Sequence, residues 1–165
     1  MILSAIVAVA QNNVIGMQGD MPWPKMSADL KYFKEKTFGK WCILGRKTYN
    51  ALGNKVLPGI NFIIITRDTN FRSADSLVVH SLQEAIDHPA IWQEEEVMVL
   101  GGGEIYKQAM PLLDRVYCTR IGASFAGDTY FPDIDANNWE LALADAHTAD
   151  DKNPLDYTFL IFNRK

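Results

Sequence analysis

At 165 residues, 48% hydrophobic and 22% charged, the chain is the length of one domain and has enough apolar material for a core without disulfide staples. That composition excludes intrinsic disorder. With 16 Lys and Arg against 20 Asp and Glu, the net charge of −4 leaves no broad basic field for nucleic acid or an anionic membrane, so any bound anion must be held by a few placed cations.

The opening MILSAIVAVAQ imitates a short signal peptide, but it lacks a basic start and falls short of the roughly 20 apolar residues of a membrane helix. Its β-branched residues make 3–10 a first strand, apolar without alternation and therefore buried on both faces. Gly16, Gly19, Pro22 and Pro24 make 12–25 an irregular loop, and at about 14 residues it has the length of a functional lid. Ser27 is expected to cap a helix with Ala28, Leu30, Phe33 and Thr37 on one side and Lys31, Lys34 and Glu35 elsewhere. Further buried strands are expected at 41–44, 62–65 and 97–100, with a short helix at 48–52. Ser81 and Glu84 have the spacing of a capping box for a helix over 81–87. A last helix follows the fourth strand over 103–113, with Pro111 tolerated near its end. Strands alternating with helices predict a parallel α/β sheet. Beyond 115–121, the runs 139–146 and 157–163 have only a polar loop between them, which predicts an antiparallel hairpin at one sheet edge. No repeat or composition break divides residues 1–165, so one domain is expected. Cys42 and Cys118 lie in apolar runs and read as buried, reduced thiols of a cytoplasmic protein.

In an open α/β sheet, ligands collect beyond the carboxyl ends of the strands. Here those ends are Ala10-Gln11, Gly45-Arg46-Lys47-Thr48, Thr66-Arg67-Asp68 and Gly101-Gly102-Gly103-Glu104. Thr48 is expected to cap the helix after it, aiming free N–H groups at an anion beside Arg46 and Lys47. The three glycines would let backbone approach a ligand. Taken singly, these cations also read as solvated loop charges. The glycine run has Tyr106 where a dinucleotide GxGxxG has its last glycine, and no GxxxxGK[ST] occurs. Asp29, in the first turn of its helix, shares a face with Phe33 and follows Trp23. Partial desolvation there would suit it to proton work, although an acid also complements a helix N-terminus. His80, His88 and His147 have no metal-ligand spacing, so no metal is expected.

Taken in order, Ile6-Val7-Ala8, Val14-Ile15-Gly16-Met17, Met21-Pro22-Trp23, Ala28-Asp29-Leu30 with Phe33, Gly45-Arg46-Lys47-Thr48, Leu57-Pro58-Gly59, Gly101-Gly102-Gly103 with Ile105-Tyr106, and Gly127-Asp128-Thr129 with Phe131-Pro132 resemble bacterial dihydrofolate reductase over nearly the whole chain. The resemblance implies a mainly parallel eight-stranded sheet with flanking helices and an antiparallel edge strand. It also implies a monomer transferring a hydride from NADPH to the C6–N5 imine of 7,8-dihydrofolate. Asp29 would meet the pterin 2-amino and N3 edge and favour protonation at N5, with Trp23 holding water and Thr119 in support. Ile6, Val7, Ala8, Leu30, Phe33, Leu52 and Leu57 would line the substrate pocket. On the cofactor side the resemblance implies Ala8, Ile15, Gly16 and Met21, the turn Gly45, Arg46, Lys47 and Thr48, then Thr66 and Arg67, and finally Leu100, Gly101, Gly102, Gly103, Ile105 and Tyr106. A cis peptide is implied at Gly101-Gly102. Arg46, Thr66 and Arg67 around a 2′-phosphate would favour NADPH over NADH.

Two positions depart from the family pattern. Ile60 stands where many members have an arginine that clamps the α-carboxylate of the folate tail, and a hydrophobe cannot replace a bidentate guanidinium. Glu104 occupies a position that is sometimes basic. The first departure leaves open a reductase of a tail-less dihydropterin, and a nucleotide-binding sensor without turnover is the alternative outside the enzymes.

Overall fold

The apolar runs form the middle of an eight-stranded sheet in a computed structural model that describes residues 1–165. In chain order the elements are β1 (Ile2–Val9), β2 (Val14–Gly16), α1 (Ser27–Thr37), β3 (Trp41–Gly45), α2 (Arg46–Ala51), β4 (Asn61–Ile65), β5 (Leu77–Val79), α3 (Leu82–Ile86), β6 (Glu96–Gly101), α4 (Gly103–Ala109), β7 (Arg115–Ile121), β8 (Thr129–Tyr130), β9 (Trp139–His147) and β10 (Tyr157–Arg164). The sheet order is β5-β4-β3-β6-β1-β7-β10-β9. β10 runs antiparallel to both neighbours, while the pairs from β5 to β7 are parallel. The expected edge hairpin is β9–β10, and the reversed strand is β10, one position in from the exposed edge strand β9. β5 and the small β2–β8 pair were not anticipated, because two- and three-residue strands carry too little pattern.

Strand alternation divides the core. Leu3, Ala5, Val7 and Val9 of β1 face a cluster shared with Leu82 and Ala85 of α3 and with Ile105, Tyr106 and Ala109 of α4. Ile6 joins the other face with Tyr49 of α2, and Tyr32 and Phe33 of α1 pack there. The chain therefore winds outward over α1 and α2 and returns over α3 and α4, so its direction reverses around β6 and β1. Carboxyl ends at such a reversal leave a crevice. The amino ends are closed by contrast: Glu96 accepts from Ser4 (2.7 Å), Lys40 (2.7 Å), Tyr117 (2.9 Å) and Arg115 (3.2 Å).

Helix starts differ from the local expectation in two places. Ser27 is the first helical residue of α1 and not its cap; Asn153, buried in the loop between β9 and β10, accepts from Ala28 N at 2.8 Å instead. α2 begins at Arg46, so Thr48 lies inside its first turn and caps nothing; Gly45 precedes the helix, which has no side-chain cap. Ser81 does cap α3, accepting from Glu84 N at 3.0 Å, while Glu84 reaches back to His80 N at 2.9 Å. Both cysteines are free and buried, and burial pushes each thiol up to about 12. No helix is long and apolar enough to cross a membrane.

Candidate active site

Asp29 sits half-buried in the first turn of α1, at a cavity of about 240 Å³ that it shares with Met21, Trp23, Met26 and Leu30. Burial raises its carboxyl above the ordinary value, and a hydrogen bond with Thr119 pulls the other way. Thr119 is itself buried on β7, in register with Ala8 on β1 and Phe159 on β10. Trp23 is buried against Phe125, with ring centroids 6.0 Å apart. Asp20 and Lys25 stand at the exposed rim, so Asp29 is the half-buried titratable group of this cavity. Phe33, Leu52 and Leu57 pack on the cluster that contains Ile6 and Leu100, and they extend an apolar wall over the same face of the sheet. Leu30 is exposed at the cavity mouth, as is Met21.

Segment 12–25 is tied down by contacts with 127–131. β2 pairs with β8, Gln18 N donates to Asp128 Oδ2 at 3.0 Å, and Asp128 N donates to Gly16 O at 3.0 Å. The approach is close enough that a Cβ at Gly127 would fall 2.7 Å from Gly16 O. Met21 and Trp23 are thereby held beside Asp29.

The second group of expected residues lies at the ends of β3, β4 and β6. The Gly101–Gly102 peptide is cis. Gly101 has φ +106 and lies under the Tyr106 ring, where a Cβ would be 2.6 Å from a ring carbon. A Cβ at Gly102 would lie 3.2 Å from Thr48 Oγ1, so the turns after β3 and β6 meet. Neither α2 nor α4 has a side-chain cap, which leaves first-turn N–H groups free for a ligand at these meeting turns. Arg67 and Lys47 form no ion pair, while Arg46 is paired with Asp68 at 3.0 Å and stacked on Phe71 at 4.2 Å. Thr66 is buried, its hydroxyl accepting from Asp68 N at 3.1 Å.

Some expected residues take other positions. Val7 points into the α3–α4 face, away from Asp29, because neighbouring strand residues alternate; only its backbone can border a substrate. Tyr106 is buried, and its single O–H is shared between Ile6 O (2.6 Å) and Leu100 O (2.8 Å), so its polar group ties β1 to β6. Ile15 and Ile105 also belong to the α4 side. Ile60 is buried with Tyr49 and Phe62, and it brings no cation to the substrate wall. Glu104 accepts from Gln108 at 3.1 Å. Sequence reasoning missed Lys25 at the rim, Phe125 behind Trp23, and Asn153 holding the start of α1. None of these has a local pattern that reveals it.

A family model described as dihydrofolate reductase matches residues 2–164. The dihydrofolate reductase of Staphylococcus haemolyticus is 39% identical over 162 residues, covering 98% of this chain and 95% of that protein. The chain belongs to the dihydrofolate reductase family. That of Bacillus subtilis (strain 168) is 38% identical over 163 residues, covering 99% and 95%. Among solved structures, dihydrofolate reductase from Enterococcus faecalis, complexed with NADP(H) and RAB-propyl, superposes with a TM-score of 0.91 at 34% identity, covering 99% of this chain and 96% of that one.

Proposed function

We propose that the chain, acting as a single domain over 1–165, is an NADPH-dependent oxidoreductase that reduces 7,8-dihydrofolate to tetrahydrofolate for one-carbon metabolism. The observation that carries this is Asp29: a half-buried carboxyl with a raised pKa, held by Thr119 in a small cavity, on a chain of the dihydrofolate reductase family. The residues at the other half of the crevice fit a phosphorylated dinucleotide. Uncapped α2 and α4 N–H groups face meeting turns, and Arg67 and Lys47 have no internal partner. The related Enterococcus faecalis enzyme is complexed with NADP(H).

When bound, NADPH supplies the hydride that adds to C6 of the substrate, while N5 takes a proton. Asp29 accepts hydrogen bonds from the pterin 2-amino and N3 edge and favours N5 protonation through water held beside Trp23. Thr119 fixes the Asp29 carboxyl. Ile6, Ala8, Phe33, Leu52 and Leu57 give the flat ring and benzoyl group an apolar wall, and Met21 closes the mouth against bulk water. Arg67, with Thr66 and Lys47, binds the 2′-phosphate; Arg46 contributes less because Asp68 already engages it.

Mixing the protein with NADPH and dihydrofolate and following loss of the reduced nicotinamide absorbance tests the activity. Turnover is expected. Folded protein that binds NADPH without consuming it would overturn the enzyme reading in favour of a sensor. Buried Ile60 favours a second reading, in which the substrate is a dihydropterin lacking the glutamate tail. Comparing kcat/KM for dihydrofolate and dihydrobiopterin separates the two, and a large preference for dihydrofolate rejects the tail-less substrate. The buried free thiols fit a cytoplasmic protein, the acidic balance fits one that engages neither nucleic acid nor membrane, and we take the chain to act as a monomer.

A further inference from the structure

The chain has six arginines, and four are engaged internally. Arg46 pairs with Asp68, Arg72 donates to the carbonyls of Thr69 and Phe71, Arg115 reaches Glu96 and Asn163, and Arg164 donates to the carbonyls of Leu113 and Met110. The two whose guanidinium makes neither an ion pair nor a hydrogen bond within the chain are Arg67, at the proposed cofactor turn, and Arg120 on β7. Arg120 is half-buried and lies on the opposite face of its strand from Thr119, the partner of Asp29. There it lines a separate cavity of about 390 Å³ between the ends of β1 and β7 and the segment that follows β8.

The chemistry of that cavity is mixed in a particular way. The half-buried Ile134 and Phe162 supply apolar walls, and the buried Val9 and Phe131 form the floor, with Phe131 fixed edge-on to Tyr106 at 5.0 Å. Arg120 supplies five donors in a planar fork with no internal acceptor. Asp133 is on the same rim, but its carboxylate accepts from Asn13 Nδ2 at 2.9 Å and lies beyond ion-pair distance of Arg120. A partly desolvated guanidinium is best matched by a bidentate planar anion. Asp133 repels a second negative charge, and the absence of another cation disfavours a phosphate. The volume is near the lower end of the ~300–1,000 Å³ typical of small-molecule sites, enough for one or two fused rings.

We propose that this cavity is a second binding site, behind the sheet from Asp29, for a flat aromatic monocarboxylate, with Arg120 gripping the carboxylate and Ile134 and Phe162 packing on the ring. The occupant would lie against the root of segment 12–25, because Asn13 O accepts from Phe131 N at 2.9 Å beside the Asn13–Asp133 bond.

The test uses the full chain saturated with NADP⁺ and folate, so that the crevice around Asp29 is filled. 2-Naphthoate is titrated while backbone amide shifts are followed, with 2-naphthamide and inorganic phosphate as comparisons. Saturable shifts at Val9, Arg120 and 131–134 are expected, with the carboxamide binding about tenfold or more weaker and phosphate giving no saturable shift there. Arg120→Ala should weaken naphthoate to the level of the amide, with turnover unchanged. Equal affinity for acid and amide, or shifts confined to the Asp29 side, would overturn the site. Should Arg120→Ala fail to fold, the acid–amide comparison on the unaltered chain still decides.

Discussion

A carboxylate enclosed by Trp23, Met26 and Leu30 loses part of its solvation, so burial raises the pKa of Asp29 above 3.8 even though Thr119 opposes it. The folded chain therefore holds more protons than the unfolded one between 3.8 and the raised value, and stability falls as pH rises through that window. Above the window the ionised side chain is a standing destabilisation. Asp29→Asn removes it, and urea melts should show the variant at least as stable as the parent at pH 7, the difference vanishing below pH 3.8. Its turnover should fall by ~10²–10⁴ near neutrality, measured at saturating NADPH, because the proton assistance is gone. Turnover of the parent should decline as pH rises through an apparent pKa above the ordinary carboxyl value. The two arginines at the turns proposed to hold the cofactor differ in the same physical terms. Arg46 is already balanced by Asp68 and stacked on Phe71, whereas Arg67 has no partner. Arg67→Ala should raise KM for NADPH by about tenfold or more while leaving KM for NADH nearly unchanged, and Arg46→Ala should do less. Steady-state kinetics with both nucleotides measures this, and equal effects on NADPH and NADH would contradict a 2′-phosphate contact.

At the scale of elements, α1 matters because its first turn carries Asp29. That turn is satisfied from a distance: Asn153 accepts from Ala28 N, and Lys152 O accepts from Ser27 N at 3.3 Å. Asn153→Ala should cost about 0.5–2 kcal/mol in chemical denaturation, the ordinary range for losing a cap, and should lower kcat by loosening the turn beneath Asp29. α3 was legible from Ser81 and Glu84 because every partner in its cap lies within four residues. The cap of α1 was not legible, since Asn153 is 125 positions from Ala28 and nothing near Ser27 signals it. Thr48 misled for a related reason. A threonine at a strand–helix junction resembles a cap, yet packing of the glycine turns let the helix start earlier, at Arg46.

Across the whole molecule, the crevice exists because the winding reverses between β6 and β1, and Tyr106 ties those two strands together through the carbonyls of Ile6 and Leu100. Tyr106→Phe would leave both buried carbonyls short of a donor, and stability should fall by about 1–3 kcal/mol in urea denaturation. A variant as stable as the parent would show that the hydroxyl is dispensable. The sequence by itself determined the four central strands, because apolar runs without alternation can only be buried on both faces. It also determined the parallel class through the helices between them, and the membership of the Asp29 and glycine-turn motifs. Tertiary structure decided what depends on partners distant in the chain. It raised the pKa of Asp29 by enclosing it, engaged Arg46 while leaving Arg67 and Arg120 unpaired, and turned Val7 to the far face from Ile6. Local pattern reports propensity and burial, whereas solvation and pairing are properties of neighbours that only folding brings together.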